Sequence, residues 1–456
     1  MENPMNHFDG FRAALTGEAF GPGDDGYEAV RLPWNLLIEQ RPALVVLAES
    51  VADVQATVRL AAEQGLPLAV QSSGHGAVHP CDDGVVLNVS RLTGVDIDAE
   101  SKIASLDAGA RWRAVLEAAA PYELAGLSGT APTIGAVGYT LGGGLGLMLR
   151  RFGFAADSVV AADVVTADGS LVHASQTENP ELLWALKGGS GNFGVVTRLQ
   201  VRLYHVPAVH HGMAVYPGAR AAEVLGAWAE WNGGVSDAVT SAVNVMSVPP
   251  LPTVPEPMRG QHVAMVRATI AGGDGAELDG LRSALGVPLM DGFRTCTYLE
   301  AALSGMEPTD PMPATGSSAL LSELSAGAVD TLLAMSAPGS PVPSIEIRHL
   351  GGAAAKEPDQ PSAVSHRDAG YSAAANAIAP TPEQLAAVQE RLAEGFGALS
   401  GYTHPGALVN FMPARSTPEK VRTAFSPESY QRLREIKRTY DPSNLFRFNH
   451  NIPPAS

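Results

Sequence analysis

The sequence predicts a soluble two-domain protein, an α/β or α+β domain followed by an antiparallel sheet with helices on one face. Its 456 residues are too many for one ordinary core. Strand and helix patterns alternate from residue 41 to about residue 207. Beyond that point alternating strands and amphipathic helices follow a different order, which is typical of an antiparallel sheet packed against helices.

The first domain opens with one β-α-β unit. Residues 43–48 form a predicted buried strand, and Asp53 lies at the start of the helix that follows. A second strand, residues 66–71, runs directly into a turn of small residues, and binding sites in such domains lie at strand ends. Further strands are predicted at residues 84–89, 102–108 and 159–169.

The second domain begins near Pro207. Strands are predicted at residues 262–270 and 343–352, and helices at about 219–231 and 382–396. The last stretch, from residue 426, is predicted to be a capped amphipathic helix and then an extended tail that packs back onto the rest of the chain.

Composition limits the class of partner. Hydrophobic residues make up 45% and charged residues 17%, which is typical of a globular protein. The net charge of -17 disfavours nucleic acid and anionic membranes as partners. The N-terminus lacks the apolar region of a signal peptide, no stretch of about 20 apolar residues could span a bilayer, and the two cysteines form no disulfide framework. We therefore expect a cytoplasmic protein.

Three glycine-rich segments are candidate ligand sites. The first, residues 71–76, follows a strand, so its backbone can approach a diphosphate closely, although a tight turn explains it equally well. The second, residues 129–146, has too many glycines for an ordinary helix or strand, yet its apolar residues argue against a flexible loop. We expect its backbone to lie against a flat or phosphorylated ligand.

The third segment spells G-x-G-x-x-G at residues 189–194. A predicted helix (residues 180–187) precedes it and a predicted strand (195–206) follows, which is the reverse of a dinucleotide-binding unit, so NAD binding is rejected there. No metal-spaced cluster occurs in the sequence. His210 and His211 are neighbours whose side chains would point to opposite faces of a strand, so we expect no metal site.

The order of several segments resembles the berberine-bridge-enzyme-like branch of the vanillyl-alcohol-oxidase flavoprotein family. The matching stretches are RPALVV, SSGH, GTAPTIG, YTLGGGLG, RRFGFAADSV, NPELLWALKGGSGNFGVVT, SHRDAGY and YDPSNLFRFNHNI, and together they extend over nearly the whole chain. The resemblance implies an α+β fold with a PCMH-type, two-subdomain FAD-binding domain and an inserted substrate domain. It also implies the division 1–207 (FAD domain), 208–412 (substrate domain) and 413–456 (C-terminal segment returning to the FAD domain).

The same resemblance implies FAD bonded through His75 alone, because Ala131 stands where many members have a second, cysteinyl link. The turn at residues 71–76 would hold the diphosphate, residues 130–146 would line the flavin ring and ribityl chain, and the tail asparagines would lie near the pyrimidine end or help seat the tail. The implied cofactor residues are Ser72, Ser73, Gly74, His75, Gly76, Thr130, Ile134, Gly135, Gly138, Tyr139, Gly144, Gly146, Val196, Asn449 and Asn451.

The catalytic base is where this sequence departs from its relatives. The Y-x-N motif of related alcohol oxidases matches Leu408-Val409-Asn410, which has no tyrosine, and the glutamate that berberine-bridge enzymes place after the HRDAGY segment is replaced by Ser372, Ala373 or Ala374. Loss of hydride from an alcohol needs a group that takes the hydroxyl proton. The remaining candidates are Tyr139, Tyr371 and Tyr402, each of which could equally be a packed aromatic residue.

Three functions follow from this sequence. The first is an oxidoreductase that removes hydride from an alcohol of a sugar-like or secondary-metabolite substrate. The second is an amine oxidase or oxidative cyclase on the same scaffold, because an amine nitrogen can stabilise the developing cation without a separate base. The third is a flavin-binding protein with little turnover. Oxygen or another molecule would accept the electrons, and the protein would be a monomer or homodimer.

Overall fold

The computed structural model describes residues 8–305 and 308–456. Two smaller sheets and one large sheet organise these residues, and helices pack between and over them, so the predicted α+β class is confirmed. Residues 1–7, part of the N-terminus predicted to lack a signal peptide, lie outside the described residues.

The N-terminal sheet contains the predicted β-α-β unit. The strand order across this sheet is Glu18–Phe20, Leu44–Leu47, Val85–Asn88 and Leu68–Gln71. Val85–Asn88 pairs in parallel with both of its neighbours, and Glu18–Phe20 forms an antiparallel edge. The helix Val51–Gln64 begins two residues before Asp53, because Ser50 is its N-cap. The Ser50 hydroxyl accepts from the Asp53 backbone N–H at 3.1 Å, and the Asp53 carboxylate accepts in return from the Ser50 backbone.

A second, antiparallel sheet packs on the other side of that helix. Val54 and Val58 of the helix share one core with Val165 and Val195 of this sheet. The strand order is Val95–Asp98, Ile103–Asp107, Val195–Arg202, Val159–Val165 and Leu171–Ser175. A two-stranded ribbon, Leu124–Ala125 with Tyr204–His205, lies at the end of the domain that leads to the large sheet.

The glycine-rich segment of residues 129–146 contains one short helix, so the prediction that it forms no ordinary helix is wrong in part. Ala136–Leu141 is helical, because only Gly138 falls inside it and its apolar side chains are buried. The third glycine segment stands in the predicted order, after the helix Pro180–Leu186 and before the strand Val195–Arg202. That order confirms the reversed context on which NAD binding was rejected.

The large sheet is antiparallel, and its strands lie between Val209 and His404. Nine strands are present in the part of the chain that the structure describes, in the order Met290–Asp291, Val209–Pro217, His262–Ala271, Val239–Ser247, Ser344–His349, Tyr371–Ile378, Ala314–Leu321 and Thr403–His404, with Arg294–Cys296 also paired to Val209–Pro217.

Helices cover one face of the large sheet, as predicted. They bury apolar residues of alternate strand positions, among them Val243, Val266, Ile345 and Ala373. The covering helices are Ala221–Asn232, Asp279–Leu285, Ala326–Met335 and Pro382–Leu399. The alternate positions face the opposite way, towards the first domain. This second face forms one wall of the candidate site.

The C-terminal segment returns to the first domain. Leu445 and Phe446 join the core of the N-terminal sheet, and the Leu68 backbone N–H donates to the Leu445 carbonyl at 3.0 Å. The Asn192 side chain accepts from the Ile452 backbone at 2.9 Å, which fastens the tail to the third glycine segment. The remaining helices are Asp9–Ala14, Tyr27–Arg31, Trp112–Ala119, Leu149–Phe152, Tyr298–Ala302, Pro418–Arg422 and Pro427–Tyr440.

The sequence predicted no metal site and no membrane-spanning segment, and the structure bears on both points for the described residues only. His211 bonds Thr269 and Ser304 while His210 faces Thr295 on the other side of the strand, and no group of three potential metal ligands occurs in residues 8–305 and 308–456. Within the same ranges, no helix has both the length and the apolar character needed to cross a membrane.

Candidate active site

The first two glycine segments meet at Ser73 and Gly135. The Gly135 backbone N–H donates to the Ser73 hydroxyl at 3.3 Å, and that hydroxyl lies 2.9 Å from His75 Nδ1. A Cβ on Gly135 would come within 2.9 Å of the Ser72 hydroxyl. Glycine at position 135 therefore permits the close approach that places residues 72–76 beside residues 130–141.

His75 is held as a neutral imidazole. Its ring stacks on Trp34 at 4.3 Å between centroids, with an angle of 16° between the planes. Burial and, secondly, the nearby Arg111 guanidinium lower the pKa of His75 to about 4. Because Nδ1 faces the Ser73 hydroxyl, Nε2 is the ring nitrogen that remains available for another partner.

Several predicted cofactor residues present polar atoms or open backbone. The buried Ser72 hydroxyl, the Tyr139 hydroxyl and the side-chain oxygens of Asn449 and Asn451 have no hydrogen-bond partner within the described chain. Buried polar atoms are normally paired, so these four atoms fit a polar ligand. A Cβ added at Gly76 or at Gly138 would meet nothing within 4 Å, so the backbone faces open space at both glycines.

Other predicted cofactor residues are committed to protein packing. A Cβ added at Gly144 would come within 2.6 Å of the Tyr139 ring, and one added at Gly146 would come within 2.9 Å of the Ser128 carbonyl oxygen. Val196 is buried in its strand opposite Val164. Thr130 is buried beside the cavity described below, Ile134 is half-buried, and Gly74 adopts a positive φ of 79° against the Pro33–Trp34 backbone.

Asn410 holds the second glycine segment in place. Its side-chain oxygen accepts from the Gly144 backbone N–H at 2.8 Å, and its amide donates to the Tyr139 carbonyl at 3.2 Å. This is the asparagine of the sequence Leu408-Val409-Asn410, which matches the Y-x-N motif of related alcohol oxidases but lacks its tyrosine. The asparagine thus acts on the backbone of the glycine segment.

The three candidate tyrosines lie in different surroundings. Tyr139 packs edge-on against Trp112 at 5.7 Å, and burial strongly raises the pKa of its hydroxyl. Tyr371 lies against Trp228 and His349, and burial raises its pKa as well. Tyr402 is 42% exposed and contacts Gly327. Of the three, Tyr139 alone lies among the glycine segments.

A small cavity lies between the second glycine segment and the uncovered face of the large sheet. The first domain supplies glycines, leucines and Thr130, and the sheet supplies threonines, two arginines and His349. Ser241 is also a lining residue, but its hydroxyl bonds Trp228 and Asn232 on the helix-covered side. The lining residues are Gly129, Thr130, Leu145, Gly146, Leu147, Leu149, Thr240, Ser241, Ala242, Arg267, Thr269, Arg348 and His349. We call this space the substrate cavity.

An ionised glutamate lies beside the substrate cavity. Glu346 accepts from Arg267 at 2.7 Å and from Arg348 at 2.8 Å. Burial alone would raise the pKa of Glu346, but the guanidiniums of Arg348 and Arg267 hold it below its usual range. Glu346 is the direct cross-strand partner of Ala374, one of the positions where the resemblance implied a glutamate. A carboxylate is therefore present on the same face of the sheet, one strand away.

His349, which lines the substrate cavity, contacts Arg150. The His349 Nε2 lies 3.2 Å from a guanidinium nitrogen of Arg150, and its buried Nδ1 has no partner within the described residues. Burial, followed by the charge of Arg150, lowers the pKa of His349 to about 3. The imidazole is consequently neutral at physiological pH.

Sequence reasoning missed Trp34, Arg111 and the charged group on the large sheet. Trp34 stands about forty residues before His75 and carries no local signal. Arg267, Glu346 and Arg348 did leave a signal, because each interrupts an otherwise apolar strand, at HVAMVRATI and SIEIRHL. A charge inside a buried strand is costly unless it is paired, and so it marks a candidate site.

Comparisons with known proteins agree with this geometry. Residues 42–175 match a family model described as an FAD binding domain, and residues 407–453 match one described as berberine and berberine like. The chain is 30% identical to (R)-6-hydroxynicotine oxidase of Paenarthrobacter nicotinovorans over 97% of each chain. It is 34% identical to a xylooligosaccharide oxidase of Thermothelomyces thermophilus, over 46% of this chain and 45% of that protein.

Solved structures share the whole fold. The crystal structure of 6-hydroxy-D-nicotine oxidase from Arthrobacter nicotinovorans superposes with a TM-score of 0.85 at 27% identity, and covers 97% of this chain and 99% of its own. A berberine-bridge-enzyme-like protein of Physcomitrella patens reaches 0.82 at 21% identity, and covers 97% of this chain and 98% of its own. At that identity the second likeness concerns the fold alone.

Proposed function

Because the chain belongs to the berberine-bridge-enzyme-like family of FAD-linked oxidoreductases, we propose that it removes hydride from a carbon bonded to nitrogen in a small amine. FAD, when bound, supplies the two-electron acceptor for that hydride. The relatives with full-length similarity include an enzyme named as an oxidase, which supports oxygen as the final electron acceptor.

The residues of the first domain would hold FAD in a fixed place. The unpaired hydroxyl of Ser72 and the unpaired side-chain oxygens of Asn449 and Asn451 would bind its polar groups, and the open backbone at Gly76 and Gly138 would lie against it. His75 would carry the flavin through one covalent bond, because its neutral imidazole keeps a free nitrogen lone pair and Ala131 offers no second nucleophile.

The observation that carries the amine proposal is the weak basicity of every ionisable group at the substrate cavity. Among the described residues that line or border it, Glu346 and His349 have lowered pKa values, and an arginine side chain offers no hydrogen-bond acceptor. The Tyr139 hydroxyl has a strongly raised pKa, so it does not become a phenolate near neutral pH. An alcohol would need a proton acceptor in this place, whereas a neutral amine would not.

Alcohol oxidation is the second candidate, and one observation favours it. The buried Nδ1 of His349 has no partner in the described part of the chain, and His349 lines the substrate cavity together with Thr240 and Thr269. In that case His349 would take the hydroxyl proton. The similarity to a xylooligosaccharide oxidase also supports this candidate.

Anaerobic mixing of the holoenzyme with a panel of small amines and alcohols separates the two candidates. We expect amines to reduce the flavin, seen as loss of its visible absorbance, at a rate that rises with pH as the substrate amine loses its proton. Reduction by alcohols and by no amine would contradict the amine proposal. Flavin that no compound reduces would support the third possibility, a flavin-binding protein with little turnover.

A His349→Asn variant tests the alcohol candidate directly. If His349 accepts a proton, its loss should slow flavin reduction by roughly 10²- to 10⁴-fold. If an amine is the substrate, the rate should change by less than about tenfold. Retention of the flavin in the variant shows that the fold is intact, and His173→Asn, a change on an exposed strand of the second sheet, is the control.

A further inference from the structure

Two arginines flank the floor of the substrate cavity in one row across the large sheet. Ala242 pairs with Arg267 on one neighbouring strand and with Arg348 on the other. Direct cross-strand partners point to the same face of a sheet, so all three side chains face the cavity. Ala242, which has a small side chain, lines the substrate cavity together with both arginines.

The Glu346 carboxylate pairs with both arginines. Glu346 is two residues from Arg348 on the same strand, and its two oxygens divide between Arg348 and Arg267. The side chains of Arg267, Glu346 and Arg348 are 19%, 12% and 25% exposed, so all three are largely withdrawn from bulk water. The group therefore carries one net positive charge in a poorly hydrated place.

No second counter-ion for this charge lines the substrate cavity in residues 8–305 and 308–456. Asp237, whose charge acts on His349, pairs instead with Arg150 at 3.5 Å and with Lys356 at 3.5 Å. The whole protein has a net charge of -17, so a local positive excess at the cavity runs against the composition of the chain. A neutral ligand in this space would remove water from an uncompensated charge, which is unfavourable.

Arg267 retains hydrogen-bonding capacity. It donates from one Nη atom to Glu346, and its Nε and second Nη have no acceptor in the described part of the chain. A guanidinium presents its donors as a planar fork whose geometry matches a carboxylate. The free donors of Arg267 and the net positive charge of the group thus both favour a ligand that carries a carboxylate.

We propose that the substrate carries a carboxylate, which binds in the substrate cavity beside Arg267 and Arg348. This inference rests on the proposed function for the identity of the cavity as the substrate site. It adds that the oxidised molecule is an acid, so that among compounds with the same reacting group the enzyme selects the anionic one. Arg267 is the residue that determines this selection.

Binding of compounds that cannot be oxidised tests the inference independently of turnover. Benzoate and butyrate are titrated into the holoenzyme against their neutral amides, benzamide and butyramide, and binding is followed by the change in the flavin spectrum. We expect at least one acid to bind about tenfold or more tightly than its amide. We expect Arg267→Gln to remove that preference and to leave amide binding within about threefold.

Two further variants separate recognition from structure. Glu346→Gln keeps a hydrogen-bond acceptor but removes the negative charge, so acid binding should become tighter, a result that a purely structural role would not produce. Arg220→Gln, which removes an arginine that pairs with Glu223 on the helix-covered side, is the matched control and should change nothing. Flavin content and melting temperature are measured for each variant.

Acids that bind no better than their amides to the wild-type holoenzyme would overturn the inference. So would an acid preference that survives in a flavin-loaded Arg267→Gln variant. If the Arg267→Gln variant does not fold, the inference is still tested by two measurements. One is the binding of acids against amides to the wild-type holoenzyme, and the other is the binding of acids to the Glu346→Gln variant. Failure of all amines to reduce the flavin, with the acid preference intact, would count against the proposed amine oxidation and leave the carboxylate site standing.

Discussion

The imidazole of His75 is fixed between the Trp34 ring and the Ser73 hydroxyl, and its neutrality follows from burial beside Arg111. The turn that carries His75 was visible in the sequence, because small residues follow a strand directly. The stacking partner was not, since Trp34 reaches the turn only through the folded path of the chain. At the scale of single residues, motifs predicted candidate residues for the cofactor site but not what holds them in place.

Asn410 offers a prediction at this scale. Asn410→Ala removes both hydrogen bonds to the second glycine segment, so the backbone at Gly144 and Tyr139 should lose its fixed position. We expect the rate of flavin reduction to fall by about 10- to 100-fold, because small misplacements of reacting groups are costly. Stopped-flow reduction at saturating substrate measures this rate.

The control for Asn410 is Asn376→Ala, which changes an exposed asparagine on a strand of the large sheet. It should leave the rate unchanged. An Asn410→Ala variant that reduces its flavin at the wild-type rate would show that the glycine segment keeps its geometry without this side chain.

At the scale of elements, the C-terminal helix Pro427–Tyr440 shows how the tail is fastened to the first domain. Lys437 is fully buried and donates to the Asp441 carboxylate at 2.6 Å and to the Asn192 carbonyl at 2.7 Å. Asp441 in turn accepts from the Leu445 and Phe446 backbone. One buried ion pair thus joins the helix, the tail and the third glycine segment.

Removing one partner of that ion pair should be costly. Lys437→Met leaves the Asp441 charge buried and uncompensated, and we expect it to lower the free energy of unfolding by about 3–5 kcal/mol. Arg438→Met, the next residue and exposed, is the matched control and should cost less than about 1 kcal/mol. Urea unfolding of the two variants measures the difference; equal stabilities would contradict the role given to Lys437.

At the scale of the whole molecule, the division into a glycine-rich cofactor domain and a large antiparallel sheet could be predicted, because hydrophobic period and glycine placement are local signals. The row of Arg267, Ala242 and Arg348 could not, since it depends on the register of three strands separated by up to about a hundred residues. The same limit applies to Glu346 and Ala374, which are partners only through strand pairing.

Buried histidines should make the stability of the whole protein depend on pH. Burial is the first cause that lowers the pKa of His211 and of His450 to about 4, from an ordinary value near 6.5. As pH falls through this window, the unfolded chain takes up protons that the folded chain does not. The stabilisation that results from keeping these histidines neutral is therefore complete above about pH 6.5. Below that pH the free energy of unfolding declines towards pH 4, by at most about 1.4 kcal/mol per pH unit for each histidine.

The melting temperature of the holoenzyme at constant ionic strength tests this dependence. It should fall steadily between pH 7 and pH 5, and His211→Gln should make the fall less steep. A melting temperature that is constant over the same range would contradict the buried, neutral state of these imidazoles.

The attachment of the cofactor provides the most direct test of the account as a whole. The purified protein is denatured and digested, and the flavin is located by fluorescence and by peptide mass. We predict one flavin for each chain on the single peptide that contains His75, no flavin on any peptide from His75→Ala, and an unchanged pattern in the control variant His173→Ala. Flavin that separates freely from the denatured wild-type chain, or that is linked to a peptide without His75, would contradict the account.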